Sequence, residues 1–273
     1  MPDSAAPTTP QSPPLVEHTL TGDFRTHESF HSQHLEQDHT ILVLLPPGYD
    51  ADPNRRYPVL YLHDGQNVFD KATSVGEEWR VDETALGLIT AGAIEPLIIV
   101  GIYNTGEARI DEYTPTGDKR LGGGHADDYG RMIIEELKPL VDRAYCTKPD
   151  AANTGIAGSS LGGLVSLHLG FTHPAVFTKI AALSPSVWWG RKAILKTIRE
   201  ARSKPPIRMW VDMGTAEGRK GLDDARLLKA ALVGLGFTPG GDLHYAEYEG
   251  ATHSEQAWSE RVGPMLEFLF PSR

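Results

Sequence analysis

The chain of 273 residues has little cysteine, no long apolar run and no excess of positive charge. Cys146 is its single cysteine, which excludes an internal disulfide and fits a reducing compartment such as the cytoplasm. No segment approaches the roughly 18 consecutive apolar residues that cross a bilayer. The formal net charge of −10 argues against nucleic acid or an anionic membrane as the main partner. We therefore expect a cytoplasmic protein that binds neither nucleic acid nor membrane.

The first 14 residues differ in composition from the rest. They are rich in Pro, Ser and Thr and lack the basic and apolar regions of a secretory signal. Such a composition is typical of a disordered tail, because it offers few side chains to bury. From residue 15 onward there is no break in composition and no internal repeat. We expect residues 1–14 to form a disordered tail and residues 15–273 to form one domain.

Short β-branched runs alternate with longer amphipathic segments along this domain. Several runs are apolar throughout, which is typical of strands that are buried on both faces. The predicted strands cover residues 41–45, 58–62, 97–102, 153–157, 179–184, 208–213 and 243–248, and the predicted helices cover residues 79–92, 126–143, 161–171, 189–202, 222–236 and 255–269. This alternation predicts an α/β fold with a mostly parallel sheet and helices on both faces. Because ligands of such sheets lie at the carboxyl ends of strands, a site is expected in the loops that follow strands.

A serine turn lies between one of these strands and the helix that follows it. The residues Gly158-Ser159-Ser160-Leu161-Gly162 fit G-x-S-x-G, a weak pattern by itself in a glycine-rich chain. Its position between strand and helix is that of a nucleophile elbow, in which glycines let two backbones approach closely around a strained serine. Only Ser160 has glycine two residues away on both sides, so we predict that Ser160 is the nucleophile. The alternative is a glycine-rich helix start that binds an anion.

The order of residues along the chain selects a base for this serine. A serine hydroxyl needs a neighbouring base near neutral pH, and the order in an α/β-hydrolase is serine, acid, histidine. Of the 11 histidines, only His244 and His253 follow the candidate acids. His244 lies within the last predicted strand, whereas His253 lies in the loop after it. We therefore predict that His253 is the base.

Four carboxylates are candidates for the acid that orients this histidine: Asp212, Glu217, Asp223 and Asp224. Asp212 lies inside a predicted strand, and the two later aspartates occupy cap positions of the next helix. Glu217 lies in the loop just beyond the strand end, which suits a carboxylate that orients an imidazole. We predict Glu217 as the acid and keep the three aspartates as alternatives.

Two backbone N–H groups are expected to form an oxyanion hole. One belongs to the residue after the nucleophile, here Leu161. The other belongs to a loop after an early strand, and His63-Asp64-Gly65-Gln66-Asn67 is a loop of this kind. We predict the amides of Leu161 and Gln66 as the two donors. The side chains of His63 and Asp64 are expected to brace the loop.

Seven segments carry a resemblance to a known family: YLHDGQNVFD (61–70), EEWRVDETALGLI (77–89), LIIVGIYNTGEARIDEYTP (97–115), GSSLGG (158–163), SPSVWW (184–189), DMGTAEG (212–218) and GATHSEQAW (250–258). With these in order, the chain resembles the esterase D family of α/β-hydrolases, which includes enterochelin-type siderophore esterases, feruloyl and acetyl-xylan esterases and, more distantly, mycobacterial mycolyltransferases. The resemblance implies an α/β-hydrolase fold, a triad of Ser160, His253 and Glu217, and amides of Gln66 and Leu161 as the hole. Little chain is left for a lid, which favours an open cleft.

The predicted function is hydrolysis of a small-molecule carboxylic ester through an acyl-enzyme, with no metal or cofactor. One alternative is acyl transfer to a sugar or lipid alcohol, which would use the same triad and differ only in excluding water. The other is a non-catalytic binding domain with this fold, which has no need of an intact Ser-acid-His set. No oligomeric state is predicted.

Three further residues are predicted substrate contacts: Trp188 and Trp189, which follow a strand end, and Arg109. For the tryptophans, the alternative is that at least one packs in the core. For Arg109, an ion pair with Glu112 is the favoured alternative. The four histidines within residues 27–39 match no standard ligand spacing, so no metal site is predicted.

Overall fold

The computed structural model describes residues 17–272, so the predicted tail at residues 1–14 lies outside the described residues. The strands are β1 (Asp23–Phe30), β2 (His39–Leu45), β3 (Val59–His63), β4 (Ile98–Ile102), β5 (Thr154–Ser159), β6 (Lys179–Leu183), β7 (Arg208–Gly214) and β8 (Leu243–Tyr248). They form one sheet in the order β1-β2-β4-β3-β5-β6-β7-β8. Strand β2 runs antiparallel to both of its neighbours, and every pair from β4 to β8 is parallel. The carboxyl ends of β3 to β8 therefore share one edge of the sheet.

Helices cover both faces of this sheet. They are α1 (Val81–Thr90), α2 (Arg109–Tyr113), α3 (Ala126–Arg131), α4 (Lys138–Ala144), α5 (Leu161–Thr172), α6 (Trp189–Glu200), α7 (Arg219–Gly234) and α8 (Glu255–Leu269), with a π-helical stretch, Met132–Leu137, joining α3 to α4. One apolar core lies between the sheet and α3 to α7, and the other lies between the sheet and the pair α1 and α8. The predicted α/β architecture is confirmed. Within residues 17–272, no helix is long and apolar enough to span a membrane.

Strand β1 and the short helix α2 are described elements that the sequence pattern did not predict. Strand β1 is the longer of the two. It forms the edge of the sheet, and its side chains are half-buried or exposed. Its pairing with β2 is irregular between His27 and Phe30, where Ser29 has a φ of 51°. Because a polar edge strand buries little apolar surface, hydrophobic periodicity carries no signal for it.

The segment before β1 is bonded to buried carboxylates. The Thr19 N–H donates to Asp70 at 3.0 Å, and the Thr21 N–H donates to Asp82 at 2.6 Å. Both carboxylates are buried. Asp70 belongs to the same loop as Gln66, the predicted oxyanion donor. The segment therefore braces the loop that follows β3.

The Asp82 carboxyl makes part of the stability depend on pH. Burial, together with a hydrogen bond to Glu83, raises the pKa of Asp82 to about 8 from 3.8. Between these values the folded chain holds a proton that the unfolded chain has released, so the free energy of unfolding falls as pH rises.

Urea unfolding from about pH 5 to about pH 8 tests this. We expect the free energy of unfolding of wild type to fall, relative to that of Asp82→Asn, by up to about 1.4 kcal/mol per pH unit. Asp50→Asn, at an exposed side chain, is the control for net charge. Equal pH slopes in wild type and Asp82→Asn would contradict a protonated carboxyl.

Candidate active site

The turn at Ser160 has the geometry of a nucleophile elbow. It joins β5 to α5, and Ser160 has φ 56° and ψ −119°, a conformation that costs free energy for a residue with a side chain. A Cβ on Gly158 would lie 2.9 Å from the carbonyl carbon of Gly162, so the close approach requires glycine there. The strand, sharp turn and helix that the sequence predicts around Ser160 are all present.

The two adjacent serines have different surroundings. Ser159 is the last residue of β5, where it is buried and paired with Leu183 of β6. Ser160 is half-buried, and its hydroxyl lies 3.3 Å from the hydroxyl of Ser186. Ser186 lines a cavity of about 300 Å³, the His253 cavity, whose other lining residues include Trp188, Glu217, Lys220 and His253. Of the two adjacent serines, Ser160 is therefore the one that bonds a residue lining this cavity.

The predicted base and acid are hydrogen-bonded to each other. Nδ1 of His253 lies 2.6 Å from Oε2 of Glu217. Glu217 ends a 3₁₀ turn directly after β7, and His253 lies in the loop between β8 and α8. Because β5, β7 and β8 are parallel, these loops lie at the same sheet edge as Ser160. Within residues 17–272, the Ser160 hydroxyl bonds Ser186 rather than His253. Catalytic hydrogen bonds often tighten only when substrate binds.

Glu217 is held in its ionised form by three donors. Burial alone would raise its pKa, but hydrogen bonds from His253, from the Ser184 hydroxyl and from the Gly214 N–H outweigh burial and lower the pKa. The Ser184 and Gly214 donors both bond Oε1, at 2.5 and 2.8 Å. Oε2 is left for His253. A carboxylate fixed in this way holds an imidazole in one orientation and one tautomer.

A buried ion pair lies directly behind Glu217. Arg261 of α8 and Asp212 of β7 are both fully buried, and Nη1 and Oδ1 lie 2.7 Å apart. Arg261 also donates to the Ser184 hydroxyl at 3.0 Å, and its Nη2 lies 3.8 Å from Oε1 of Glu217. The second oxygen of Asp212 accepts from the Trp210 indole N–H at 2.7 Å. Asp212 therefore bonds a guanidinium and an indole rather than a histidine.

The other two alternative acids also have partners away from His253. Asp223 is exposed and lies 3.8 Å from Arg219, and Asp224 is buried and paired with Lys192. Of the four candidate carboxylates, Glu217 is the one that bonds His253.

Sequence reasoning missed Ser184 and Arg261 as supports of this acid. A signal for Arg261 was available, because it lies three residues after Trp258 and four before Met265, on the apolar face of α8.

The predicted oxyanion donors lie in two loops at this edge. Leu161 is the first residue of α5, so its N–H has no acceptor within the helix. Gln66 lies in a 3₁₀ turn after β3, where its side chain accepts from the Asn104 N–H at 3.0 Å and its carbonyl accepts from the Thr73 hydroxyl at 2.7 Å. A Cβ on Gly65 would lie 2.6 Å from the β4 backbone, so only glycine permits this packing. The loop that carries Gln66 is thus held in place before any ligand binds, and the hole itself stays a prediction.

His63 lies beneath the elbow as a neutral side chain. Its Nδ1 lies 2.9 Å from the Tyr129 hydroxyl, and burial lowers its pKa to about 3. A Cβ on Gly158 would lie 3.0 Å from the His63 ring. The ring therefore packs against the Ser160 turn from the loop after β3, as expected of a bracing residue.

An ion pair that the sequence did not predict also braces this loop. Both oxygens of Asp64 accept from Arg109, at 2.6 Å from Nε and 2.8 Å from Nη2. The expected pair of Arg109 with Glu112 is wrong, because Glu112 bonds His39 and the Thr105 hydroxyl instead. The Arg109 side chain is 26% exposed, and its contact with substrate stays a prediction.

The two adjacent tryptophans divide between core and surface. Trp189 is 2% exposed, and its indole N–H donates to the Thr116 carbonyl at 2.7 Å. It packs in the core, which is the alternative that the sequence analysis gave for at least one of the two tryptophans. Trp188 is 46% exposed and lines the His253 cavity. Of the two tryptophans, Trp188 is therefore the one that we predict to stack on a substrate.

The N-terminal histidines are dispersed among separate partners. These partners are Tyr145 for His27, Asp38 for His31, Glu135 for His34 and Glu112 for His39. In the part of the chain that the structure describes, no group of three or more His, Cys, Asp or Glu side chains is arranged to hold a metal ion.

Comparison of the sequence with known proteins identifies the family to which the chain is similar. The family described as "Putative esterase" matches residues 32–269. Ferri-bacillibactin esterase BesA of Bacillus subtilis is 32% identical over 242 residues, which cover 80% of this chain and 80% of that protein. The endo-1,4-beta-xylanase/feruloyl esterase of Xylanibacter ruminicola is 28% identical over 246 residues, which cover 89% of this chain and 31% of that protein. The chain thus spans about a third of this larger relative.

A solved structure agrees with the fold. The BES protein from Bacillus cereus has a TM-score of 0.72 with this chain at 23% identity, over 96% of this chain and 99% of that one. The α/β-hydrolase fold is therefore confirmed. Since the family match covers most of the chain and BesA shares nearly a third of its residues, the chain belongs to this esterase family and is a carboxylic-ester hydrolase.

Proposed function

We propose that the protein hydrolyses a small-molecule carboxylic ester through a triad of Ser160, His253 and Glu217. The observation that carries this proposal is the 2.6 Å bond between His253 and Glu217, at the sheet edge where Ser160 forms its elbow. Relatives named as siderophore and feruloyl esterases support an ester of a small molecule as substrate. The single cysteine, Cys146, is free, which fits the expected cytoplasmic location.

The reaction has two stages. Nε2 of His253 takes the proton of Ser160 as Oγ attacks the ester carbonyl carbon, and Glu217 stabilises the charged imidazole. The amides of Gln66 and Leu161 donate to the oxyanion, each worth about 3 kcal/mol. His253 returns the proton to the departing alcohol, which leaves an acyl group on Ser160. Water, deprotonated by His253, then releases the acid and restores the serine.

Exposure of the base favours hydrolysis over acyl transfer. The His253 side chain is 46% exposed, so water reaches the position from which the acyl-enzyme is attacked. An acyltransferase must exclude water from this position. Product analysis with a short aryl ester, in the presence and absence of a sugar or lipid alcohol, separates the two activities.

Labelling with a fluorophosphonate tests the proposed nucleophile. The reagent phosphonylates a serine that has a base beside it, so we expect a single adduct on the peptide that contains Ser160, with loss of hydrolysis of 4-nitrophenyl acetate. Fragmentation of that peptide by mass spectrometry distinguishes Ser160 from Ser159. An adduct on another serine that accompanies inactivation, or full activity of the labelled protein, would overturn the proposal.

A further inference from the structure

A second cavity adjoins the His253 cavity. This Arg191 cavity has a volume of about 440 Å³, and its lining includes Arg191, Lys192 and Lys220. Trp188 and Lys220 line both cavities. The two cavities therefore border each other at these residues. A ligand in the His253 cavity can extend past Trp188 into the Arg191 cavity.

The Arg191 cavity is positively charged, although the chain has a net charge of −10. Arg191 and Lys220 are exposed, and no carboxylate among the described residues forms a salt bridge with either. Lys192 is paired with Asp224. Asp118 is the carboxylate that lines the cavity, and its Oδ1 accepts two backbone N–H groups of its own loop. The positive charge is therefore only partly compensated.

A neighbouring loop adds to this charge. Lys119 and Arg120 are exposed in the tight hairpin of residues 118–122. A Cβ on Gly123 would lie 2.8 Å from the Trp189 ring, so the loop packs directly against the turn that precedes Arg191. Lys119 and Arg120 are neighbours in the chain of Asp118 and Leu121, which line the Arg191 cavity.

The backbone around Arg191 is strained. Gly190, Arg191 and Lys192 have φ values of 54°, 57° and 68°, a left-handed conformation that residues with side chains rarely adopt. A Cβ on Gly190 would lie 2.2 Å from the Thr116 hydroxyl oxygen, so the turn is packed tightly against its neighbours. Such strain persists only where the surrounding structure sustains it, and it concentrates at sites that bind ligands.

We propose that the Arg191 cavity binds an anionic group of the ester substrate while an aromatic part of the same substrate stacks on Trp188. This inference rests on the proposed function. Guanidinium and ammonium groups bind carboxylates through charge-assisted hydrogen bonds, and an exposed indole offers a face to an aromatic ring. The substrate class is an aryl ester with a negative charge away from the scissile bond.

A matched pair of esters tests this. Mono-4-nitrophenyl terephthalate carries a carboxylate where 4-nitrophenyl 4-methylbenzoate carries a methyl group, and a second pair, 4-carboxyphenyl acetate and 4-methylphenyl acetate, places the charge on the alcohol side. The readout is the ratio of kcat/KM for the anionic ester to that for the neutral ester. In Arg191→Gln/Lys220→Gln we expect this ratio to fall at least about fivefold in one of the two pairs, mainly through KM. Added KCl should lower the wild-type ratio in the same pair.

A second double variant controls for net charge. Lys196→Gln/Arg199→Gln removes the same charge from exposed positions of α6, the helix that carries Arg191, and should keep the wild-type ratio. Equal ratios in wild type and in both double variants, for both ester pairs, would overturn the anionic subsite. Failure of the proposed function would give a different result. In that case Ser160→Ala would still hydrolyse the neutral esters.

Discussion

Replacing Ser160 with alanine should lower kcat for a short aryl ester by at least about 10⁴-fold. The substitution removes the atom that forms the acyl-enzyme, and water has no comparable position from which to attack. Loss of a methylene-bound hydroxyl at a half-buried turn leaves the packing of β5 and α5 in place. We therefore expect an unchanged thermal unfolding midpoint, within about 2 °C, next to the loss of activity.

The adjacent serine supplies the control. Ser159→Ala makes the same chemical change one residue earlier, at a buried strand position that pairs with Leu183. It should retain activity within about tenfold, because Ser159 lies in the sheet rather than at the turn. A reversal, with Ser159→Ala inactive and Ser160→Ala active, would refute the selection of the nucleophile by glycine spacing.

Replacing Glu217 with glutamine should lower kcat by about 10³-fold to 10⁴-fold. Two donors, the Ser184 hydroxyl and the Gly214 N–H, fix which end of the new amide is oxygen. The amide nitrogen then faces Nδ1 of His253 and donates to it. The imidazole is thereby forced to carry its proton on Nε2, so it cannot accept the proton of Ser160. The expected loss is in kcat, measured with a short aryl ester under saturating conditions.

Replacing Asp212 with asparagine distinguishes the proposed acid, Glu217, from the ion pair that supports it. Asp212 pairs with Arg261, so the variant should leave a buried guanidinium without its charge partner and lose about 3 kcal/mol of unfolding free energy. Its kcat per folded molecule should fall far less than that of Glu217→Gln. If Asp212→Asn instead lost kcat at unchanged stability, and Glu217→Gln remained active, Asp212 would be the acid.

The parts of the site that depend on neighbouring residues could be predicted from the sequence. The elbow needs glycine two residues before and after Ser160, and that spacing is visible in the chain. Strands β2, β3 and β4 are apolar runs because both of their faces are buried or nearly so, which makes their pattern strong. Chain order selects His253 as the proposed base, and the loop that carries it lies at the same edge of the sheet as the elbow.

Arg261 could be singled out on the apolar face of α8, but neither it nor Ser184 could be paired with the acid from the sequence, because these partners are distant in the chain. Ser184 and Arg261 are 77 residues apart and meet only when α8 packs on the sheet. Arg109 shows the same limit: the sequence suggested Glu112, three residues away, but Arg109 bonds the distant Asp64, and the equally buried Glu112 bonds His39. Local spacing describes a helix or a turn, whereas the choice of an ion-pair partner depends on which residues the fold brings together.

The ion pair behind Glu217 sets the net charge of the buried cluster around the proposed acid. Asp212 and Glu217 each contribute −1 and Arg261 contributes +1, so the buried cluster carries −1 when His253 is neutral. A proton taken from Ser160 brings the cluster to zero. The same step places −1 on the oxyanion, so the net charge of the site is unchanged and negative charge moves from the buried carboxylates toward the predicted oxyanion donors. Without the guanidinium the same carboxylates would stand at −2, and Glu217 would compete with His253 for the proton. An arginine linked to Glu217 through the Ser184 hydroxyl therefore favours protonation of His253 over protonation of the carboxylate.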